Sequence, residues 1–296
     1  MFKGSLVALV TPFDSDNHID YQALERLINF HVDSGSDGLV IAGTTGESAT
    51  LTRDEHVELV SRAAELAAGR LPIIAGTGSN STAQTMDLSL AVGDPGIDAY
   101  LVGGPYDTQP TQAGLFQHVT ASADAVPRPG IRSNVPGRTV TDLLPETVGR
   151  LARHDNIVGL KEATGDMQRL HDVRSTVGDE FVLFSGDDFT LLDFIRRGGD
   201  GVVTVSGNVA PSQVARLCRL ASAGSIEEAD ELDGSLQSLN VALFIESNPI
   251  PVKWAVSEMG LIGSGIRLPL TPYSPEHHAA MRAAMMTAGV ELASSK

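Results

Sequence analysis

Ile157-Val158-Gly159-Leu160-Lys161-Glu162 is a short run, apolar until its last two positions and closed by Ala163-Thr164-Gly165. Apolar side chains at both odd and even positions fit a strand covered on both faces, as in a parallel sheet, and not the alternation of a half-solvated one. Leu39-Val40-Ile41-Ala42-Gly43 repeats the form. Working outward, comparable runs stand at 5–11, 38–43, 72–77, 99–103, 130–135, 181–185 and 201–206. With 157–162 that makes eight candidate strands.

Amphipathic segments fall between them. Residues 19–35 place Leu24, Leu27, Ile28 and His31 on one side and stop at Gly35. Residues 51–70 offer Thr52 as a cap, put acids in the first turn and end in Gly69-Arg70. Further helices are expected at 82–92, 113–125, 143–153, 167–176, 190–197 and 211–223. Eight strands each followed by a helix predict an α/β fold, a (β/α)8 TIM barrel over residues 1–224. A doubly wound sheet is the alternative, but the chain lacks a glycine-rich phosphate fingerprint. Residues 225–296 show no strand pattern; 226–244, 249–260 and 274–293 read as three helices of a C-terminal appendage packed on the barrel. Pro12, Pro105, Pro136 and Pro145 punctuate loops or first turns.

Composition narrows the function classes. The 296 residues carry a formal charge of −16 from 21 basic and 37 acidic side chains. That balance argues against binding nucleic acid through its phosphates. It speaks instead to solubility, and to base composition or a salt-rich habitat. One cysteine, Cys218, rules out an internal disulfide framework and a thiolate metal cluster, so a reducing cytoplasmic setting is expected. The first residues read as neither a signal peptide nor an anchor, and no stretch approaches the roughly 18 apolar residues a bilayer requires. His277-His278 diverge on a helix and the other histidines are scattered, so no metal site is expected.

Of the basic residues only Lys3, Lys161, Lys253 and Lys296 are lysines, and two of these lie at the chain ends. Lys253 reads as solvated, or as packing through its stem. Lys161 sits among Val158, Leu160 and Ala163 near the C-terminal end of a barrel strand, where such enzymes carry their chemistry. A buried ammonium there is costly; either it is paired, with Glu162 or a neighbouring strand's acid, or its pKa falls and it becomes a nucleophile. Gly43-Thr44-Thr45-Gly46-Glu47-Ser48 ends the second strand with two hydroxyls and freed amides. It is an ordinary tight turn or a holder for a carboxylate. Asp187-Asp188 is expected to be structural.

In combination these blocks say more. GTTGES (43–48), NVPGRT (134–139), GLKEAT (159–164) and SGDD (185–188) resemble the pyruvate-dependent class I lyases of the dihydrodipicolinate synthase family. The likeness runs from GSLVALVTPF (4–13) through GTGSNSTAQT (76–85), DLLPETVGRLA (142–152) and GDDF (186–189) to NPIPVKW (248–254) and RLPLTP (267–272). The resemblance implies that Lys161 forms a Schiff base with pyruvate, without a cofactor. It implies that Thr44 and Thr45 hold the pyruvate carboxylate and join a proton relay, and that Arg138 receives the carboxylate of a second substrate, aspartate semialdehyde. Gly186 and Val203 fall in the same site. The product implied is 4-hydroxy-tetrahydrodipicolinate, on the route to diaminopimelate and lysine, made by a cytoplasmic homotetramer or homodimer. A class I aldolase or dehydratase for another 2-keto acid, and a catalytically impaired pyruvate-binding homologue, are the alternative readings.

Two positions depart from the family pattern. Ser133 stands where the family carries a proton-relaying tyrosine, and Asp107 where a second tyrosine reaches across a subunit interface. A serine hydroxyl is shorter and less acidic than a phenol, so it replaces the relay only through an ordered water. Gly103-Gly104 and Arg132 alter the context of the same strands. The family's feedback site for lysine is matched by Ser48, Ala49, His56, Asn80 and Tyr106. Arg53 and Gln84 stand where inhibited members resemble His and Glu, so weak or absent lysine inhibition is expected.

Overall fold

In the computed structural model, which describes residues 2–93 and 96–293, eight parallel strands close on themselves in sequence order. They are β1 (Gly4–Ala8), β2 (Gly38–Ile41), β3 (Ile73–Gly76), β4 (Ala99–Gly103), β5 (Gly130–Asn134), β6 (Ile157–Glu162), β7 (Val182–Ser185) and β8 (Gly201–Thr204). β8 pairs back onto β1, with Leu6 opposite Val203. The expected eightfold barrel is the observed one.

Helices follow each strand: α1 (Tyr21–Ser34), α2 (Arg53–Ala67), α3 (Thr82–Ala91), α4 (Gln112–Asp124), α5 (Pro136–Thr139) and α6 (Pro145–Leu151) after the first five strands, then α7 (Met167–Arg174), α8 (Leu191–Arg196) and α9 (Pro211–Ala223). Their ends are local chemistry. Asp20 caps α1 by accepting from the Ala23 amide, and Gly35 closes it in the left-handed region at φ 75°. Thr52 and Glu55 form a reciprocal capping box on α2. The side chains of Leu24, Leu27, Ile28 and His31 are buried together, as the 3.6-residue period requires.

Inside the barrel Leu6, Ala8, Val40, Ile74, Ile131 and Phe184 form one apolar cluster. Three aspartates close the N-terminal rim. Each precedes its own strand and accepts an amide of the strand before: Asp37 from Ser5 at 2.8 Å, Asp98 from Ile73 at 2.9 Å and Asp200 from Leu183 at 2.9 Å. These bonds satisfy strand-end donors that the ladder leaves unpaired.

Several strands end sooner than their apolar runs do. The β1 run continues to Thr11, but the Val10 amide donates to Asn208 Oδ1 at 3.0 Å in place of a ladder partner. The sixth helix starts at Pro145 and not at 143, because the Leu143 and Leu144 amides are taken by Asn134 Oδ1 and Gln112 Oε1. The short α5 within NVPGRT was not expected; Pro136 is its first residue, where a missing N–H costs nothing.

Beyond α9, α10 (Ile226–Ala242), α11 (Ile250–Glu258) and α12 (His278–Thr287) are the three expected helices. α10 packs on α8, α9 and α12. Leu236, Leu239, Val252 and Met281 belong to the same buried cluster as Leu24 and Leu59, so the segment shares its apolar contacts with the barrel's outer layer. Lys296 lies outside the described residues.

Candidate active site

The strand register sets Gly103 of β4, Ser133 of β5, Lys161 of β6 and Phe184 of β7 side by side at the C-terminal end of the barrel. Leu160 packs outward in the cluster beneath the helices, so Lys161, its neighbour in a period of two, points inward. A Cβ at position 186 would lie 2.7 Å from Lys161 Cε and 2.6 Å from the Ala163 Cβ. Glycine at 186 is therefore what allows the lysine stem its place.

The alternative pairing with Glu162 is not formed. Glu162 faces the other side of the strand, where it accepts from Asn134 Nδ2 at 3.0 Å and from the Thr164 amide at 2.8 Å. Burial pushes the Lys161 amine down to about 8; the buried Asp188 carboxylate opposes the shift and Arg138 adds to it. Asp188 itself is held by the Val205 and Ser206 amides through Oδ2, at 2.8 and 3.0 Å. Burial raises its pKa. Asp187 accepts from the Thr190 hydroxyl at 2.8 Å.

GTTGES folds as a tight turn leading into one turn of 3-10 helix at Ser48–Thr50. Ala42 and Glu47 both sit at φ 55°, in the left-handed region. Thr44 is exposed on the turn and Thr45 is 4% exposed. Thr45 Oγ1 accepts from Asn248 Nδ2 at 2.9 Å. The carbonyl of Asn248 accepts from Arg138 Nη2 at 3.3 Å. One residue thus touches both the threonine turn and the arginine. Arg138 opens to solvent on α5 in a cleft whose walls lower its basicity by desolvation. Val203 lies deeper, in the barrel interior. The arrangement combines a destabilised amine on β6, hydroxyls and turn amides at the end of β2 across the barrel, and a guanidinium at the rim. Such a set can attack a carbonyl and hold carboxylates.

A model of the Dihydrodipicolinate synthetase family matches residues 1–288. The chain belongs to this family. It is similar to the 4-hydroxy-tetrahydrodipicolinate synthase of Ectopseudomonas mendocina, 50% identical over 290 residues that span 98% of this chain and 99% of the relative. The corresponding synthase of Teredinibacter turnerae is 48% identical over 289 residues, spanning 98% and 99%. Among solved structures, the dihydrodipicolinate synthase of Acinetobacter baumannii complexed with pyruvate superposes with a TM-score of 0.96 at 44% identity, covering 98% of this chain and all of that one.

The other positions singled out by family likeness spread around this centre. Ser133 is partly buried, one strand from Lys161. Asp107 is exposed in the β4–α4 connection at φ 66°, beside the exposed Tyr106. His56 is buried, its Nε2 2.7 Å from the Gly76 carbonyl. Arg53 is committed to Asp87 through bonds of 2.7 and 3.3 Å, and Gln84 accepts from Ser79 Oγ at 2.9 Å.

Two features escaped the reading of the sequence. Asn248 was seen only as part of a family block. Lys253 is not solvated: it is 4% exposed, with Nζ 2.5 Å from Glu47 Oε1 and 4.2 Å from the centroid of the Phe13 ring. The reading failed because the partner carboxylate is 206 residues away in sequence. A lone lysine inside Pro251-Val252-Lys253-Trp254-Ala255-Val256 was the available clue.

Proposed function

We propose that the chain is a pyruvate-dependent Schiff-base lyase that condenses pyruvate with aspartate semialdehyde to 4-hydroxy-tetrahydrodipicolinate, in the biosynthesis of diaminopimelate and lysine. The observation that carries this reading is the Lys161 amine, pushed down to about 8 by burial at the barrel mouth and left unneutralised by Glu162. An amine at its ordinary pKa is almost wholly protonated at neutral pH and does not attack a ketone.

The steps follow from the placement. The neutral Lys161 amine adds to the keto carbon of pyruvate, and loss of water leaves the protonated imine, which is the electron sink, so no cofactor is needed. Loss of a methyl proton gives the enamine. Its carbon attacks the aldehyde, whose oxygen takes up a proton, and closure by the product's own amine releases the lysine. Thr44, Thr45 and the turn amides hold the pyruvate carboxylate, with Gly186 and Val203 shaping the pocket. Arg138 takes the carboxylate of the second substrate. Ser133, adjacent in register to Lys161, passes protons through a water. Assembly as a homotetramer or homodimer would bring the exposed Asp107 loop to a subunit contact. A cytoplasmic location suits the chemistry and the buried, single Cys218; no helix of the described residues is long and apolar enough to cross a membrane.

A second reading, an aldolase for another 2-keto acid, is favoured by one feature. A Cβ added at Gly103 or Gly104 would meet nothing within 4 Å, so the wall beside Ser133 is lined by little side-chain bulk. Incubation with pyruvate and borohydride followed by peptide mass spectrometry tests the shared covalent step: an adduct on Lys161 is expected, and its absence overturns both readings. Product from aspartate semialdehyde supports the first; an adduct without product, and turnover of another 2-keto acid from a panel, supports the second.

A further inference from the structure

The turn that carries Thr44 and Thr45 is held from the opposite end of the chain. Glu47, the fifth residue of GTTGES, is buried with its left-handed backbone at φ 55°. Its Oε1 takes the Lys253 ammonium from α11 at 2.5 Å, and its Oε2 accepts the Arg267 amide at 3.2 Å. Phe13 lies beneath both cations, 4.2 Å from Lys253 Nζ and 4.3 Å from the Arg267 guanidinium carbon. The turn's backbone is pinned further by Thr11, whose hydroxyl donates to the Gly46 carbonyl at 2.7 Å. Lys253 follows Asn248 by little more than one helical turn, and Asn248 donates to Thr45 Oγ1 while its carbonyl receives Arg138.

We propose that the Glu47–Lys253 pair is a positioning element of the active site: it fixes the GTTGES turn against the start of α11, and so sets Thr45, Asn248 and Arg138 in one register for the two substrate carboxylates. The inference rests on the Schiff-base reading above. Geometry distinguishes this pair from an ion pair that only stabilises. One partner lies two residues from Thr45 on the same tight turn, and the other is on α11, five residues after Asn248, which touches both Thr45 and Arg138. Neither Glu47 nor Lys253 reaches the reacting atoms, so neither is a catalytic residue. A shift of the turn alters where the carboxylate sits relative to the Lys161 amine, and reaction rates fall steeply with such misplacement.

The test separates positioning from stability. The double variant Glu47→Gln/Lys253→Met removes both charges at nearly constant volume, so no lone buried ion is left. Its melting temperature is expected to stay within a few degrees of the parent, while KM for pyruvate rises at least tenfold and borohydride trapping at Lys161 slows in proportion at subsaturating pyruvate. A folded double variant with the parent's KM and trapping rate overturns the proposal. Should that variant fail to fold, Glu47→Asp carries the test, since it keeps both charges and shortens the tether by one methylene. A raised KM for pyruvate there supports the role, and an unchanged one overturns it. Failure of the underlying reading is distinct: it shows as no adduct on Lys161 in the parent chain.

Discussion

The amine of Lys161 should show its environment in two measurements of opposite sign. Burial lowers its pKa from 10.5 to about 8. At pH 7 that leaves roughly a tenth of the amine free, against about three parts in ten thousand for an unperturbed lysine, a gain near 300-fold in nucleophile. The rate of borohydride trapping at subsaturating pyruvate should climb with pH, inflect near 8 and flatten above it. Stability carries the reverse entry. A lysine whose folded pKa lies below its unfolded value disfavours the folded state wherever it must be charged, so the penalty is full below about pH 8, fades toward 10.5 and is gone above. The difference corresponds to about 3 kcal/mol for a fully enclosed ammonium, and the partial solvent access of this one reduces the expectation to about 1 to 2 kcal/mol. Replacing it, as Lys161→Met, should abolish the adduct yet raise stability to urea by that amount at pH 7, and the gain should vanish near pH 10.5. An inflection above pH 10, or a Lys161→Met variant no more stable than its parent at pH 7, would refute the reasoning.

Three further outcomes follow from particular residues. Arg132 lies on the outer face of β5, in register between Val102 and Leu160, 4% exposed, with Nε and Nη1 unpartnered among the described residues; Arg132→Leu should stabilise the fold by about 1 to 3 kcal/mol in urea titrations, and a loss of stability would mean the guanidinium has a partner that matters. Ser133→Tyr places a phenol one strand from Lys161, with room left by Gly103; turnover with pyruvate and aspartate semialdehyde should rise by about 10²-fold, the low end for a general acid/base group, whereas no rise shows that proton transfer runs by another route. Free lysine should give no binding heat at about millimolar concentration, because Arg53, tied to Asp87, presents a cation to the ammonium and Gln84 offers no charge; saturable tight binding by calorimetry would reject this.

The barrel was legible because its strands are covered on both faces and write that fact as unbroken apolar runs, and because caps such as Asp20, Thr52 and Gly35 are local in sequence. What lay outside reach was set by partners far along the chain. The β1 run stops pairing at Leu9 because its next amide meets Asn208, 198 residues away. The Asn248 bond to Thr45 spans 203 residues, and no periodicity encodes it. Within the site, Lys161, the threonine turn and Arg138 could be assigned positions from strand ends and family likeness. Their mutual arrangement depends on the C-terminal segment, whose helical pattern showed that it packs but not against what.

Scarcity of lysine brings this out most clearly. Of the two internal lysines Lys253 is buried and Lys161 partly so, and desolvation pushes each amine down to about 8. Desolvation therefore does not by itself make a nucleophile. At Lys253 the ammonium is in contact with a carboxylate, and giving up its proton would leave the buried Glu47 without its ion-pair partner. That coupling opposes the loss and keeps the pair intact. At Lys161 the neighbouring carboxylate has turned away to Asn134, and the nearest acidic influence, Asp188, acts only through space while its Oδ2 is occupied by two backbone amides. Here no carboxylate in contact offsets the cost of the charge, and the amine holds its proton less tightly than an exposed lysine does. The same physical penalty is met by a contact ion pair in one place and by no contact charge in the other, and the deciding variable is whether a carboxylate is in contact.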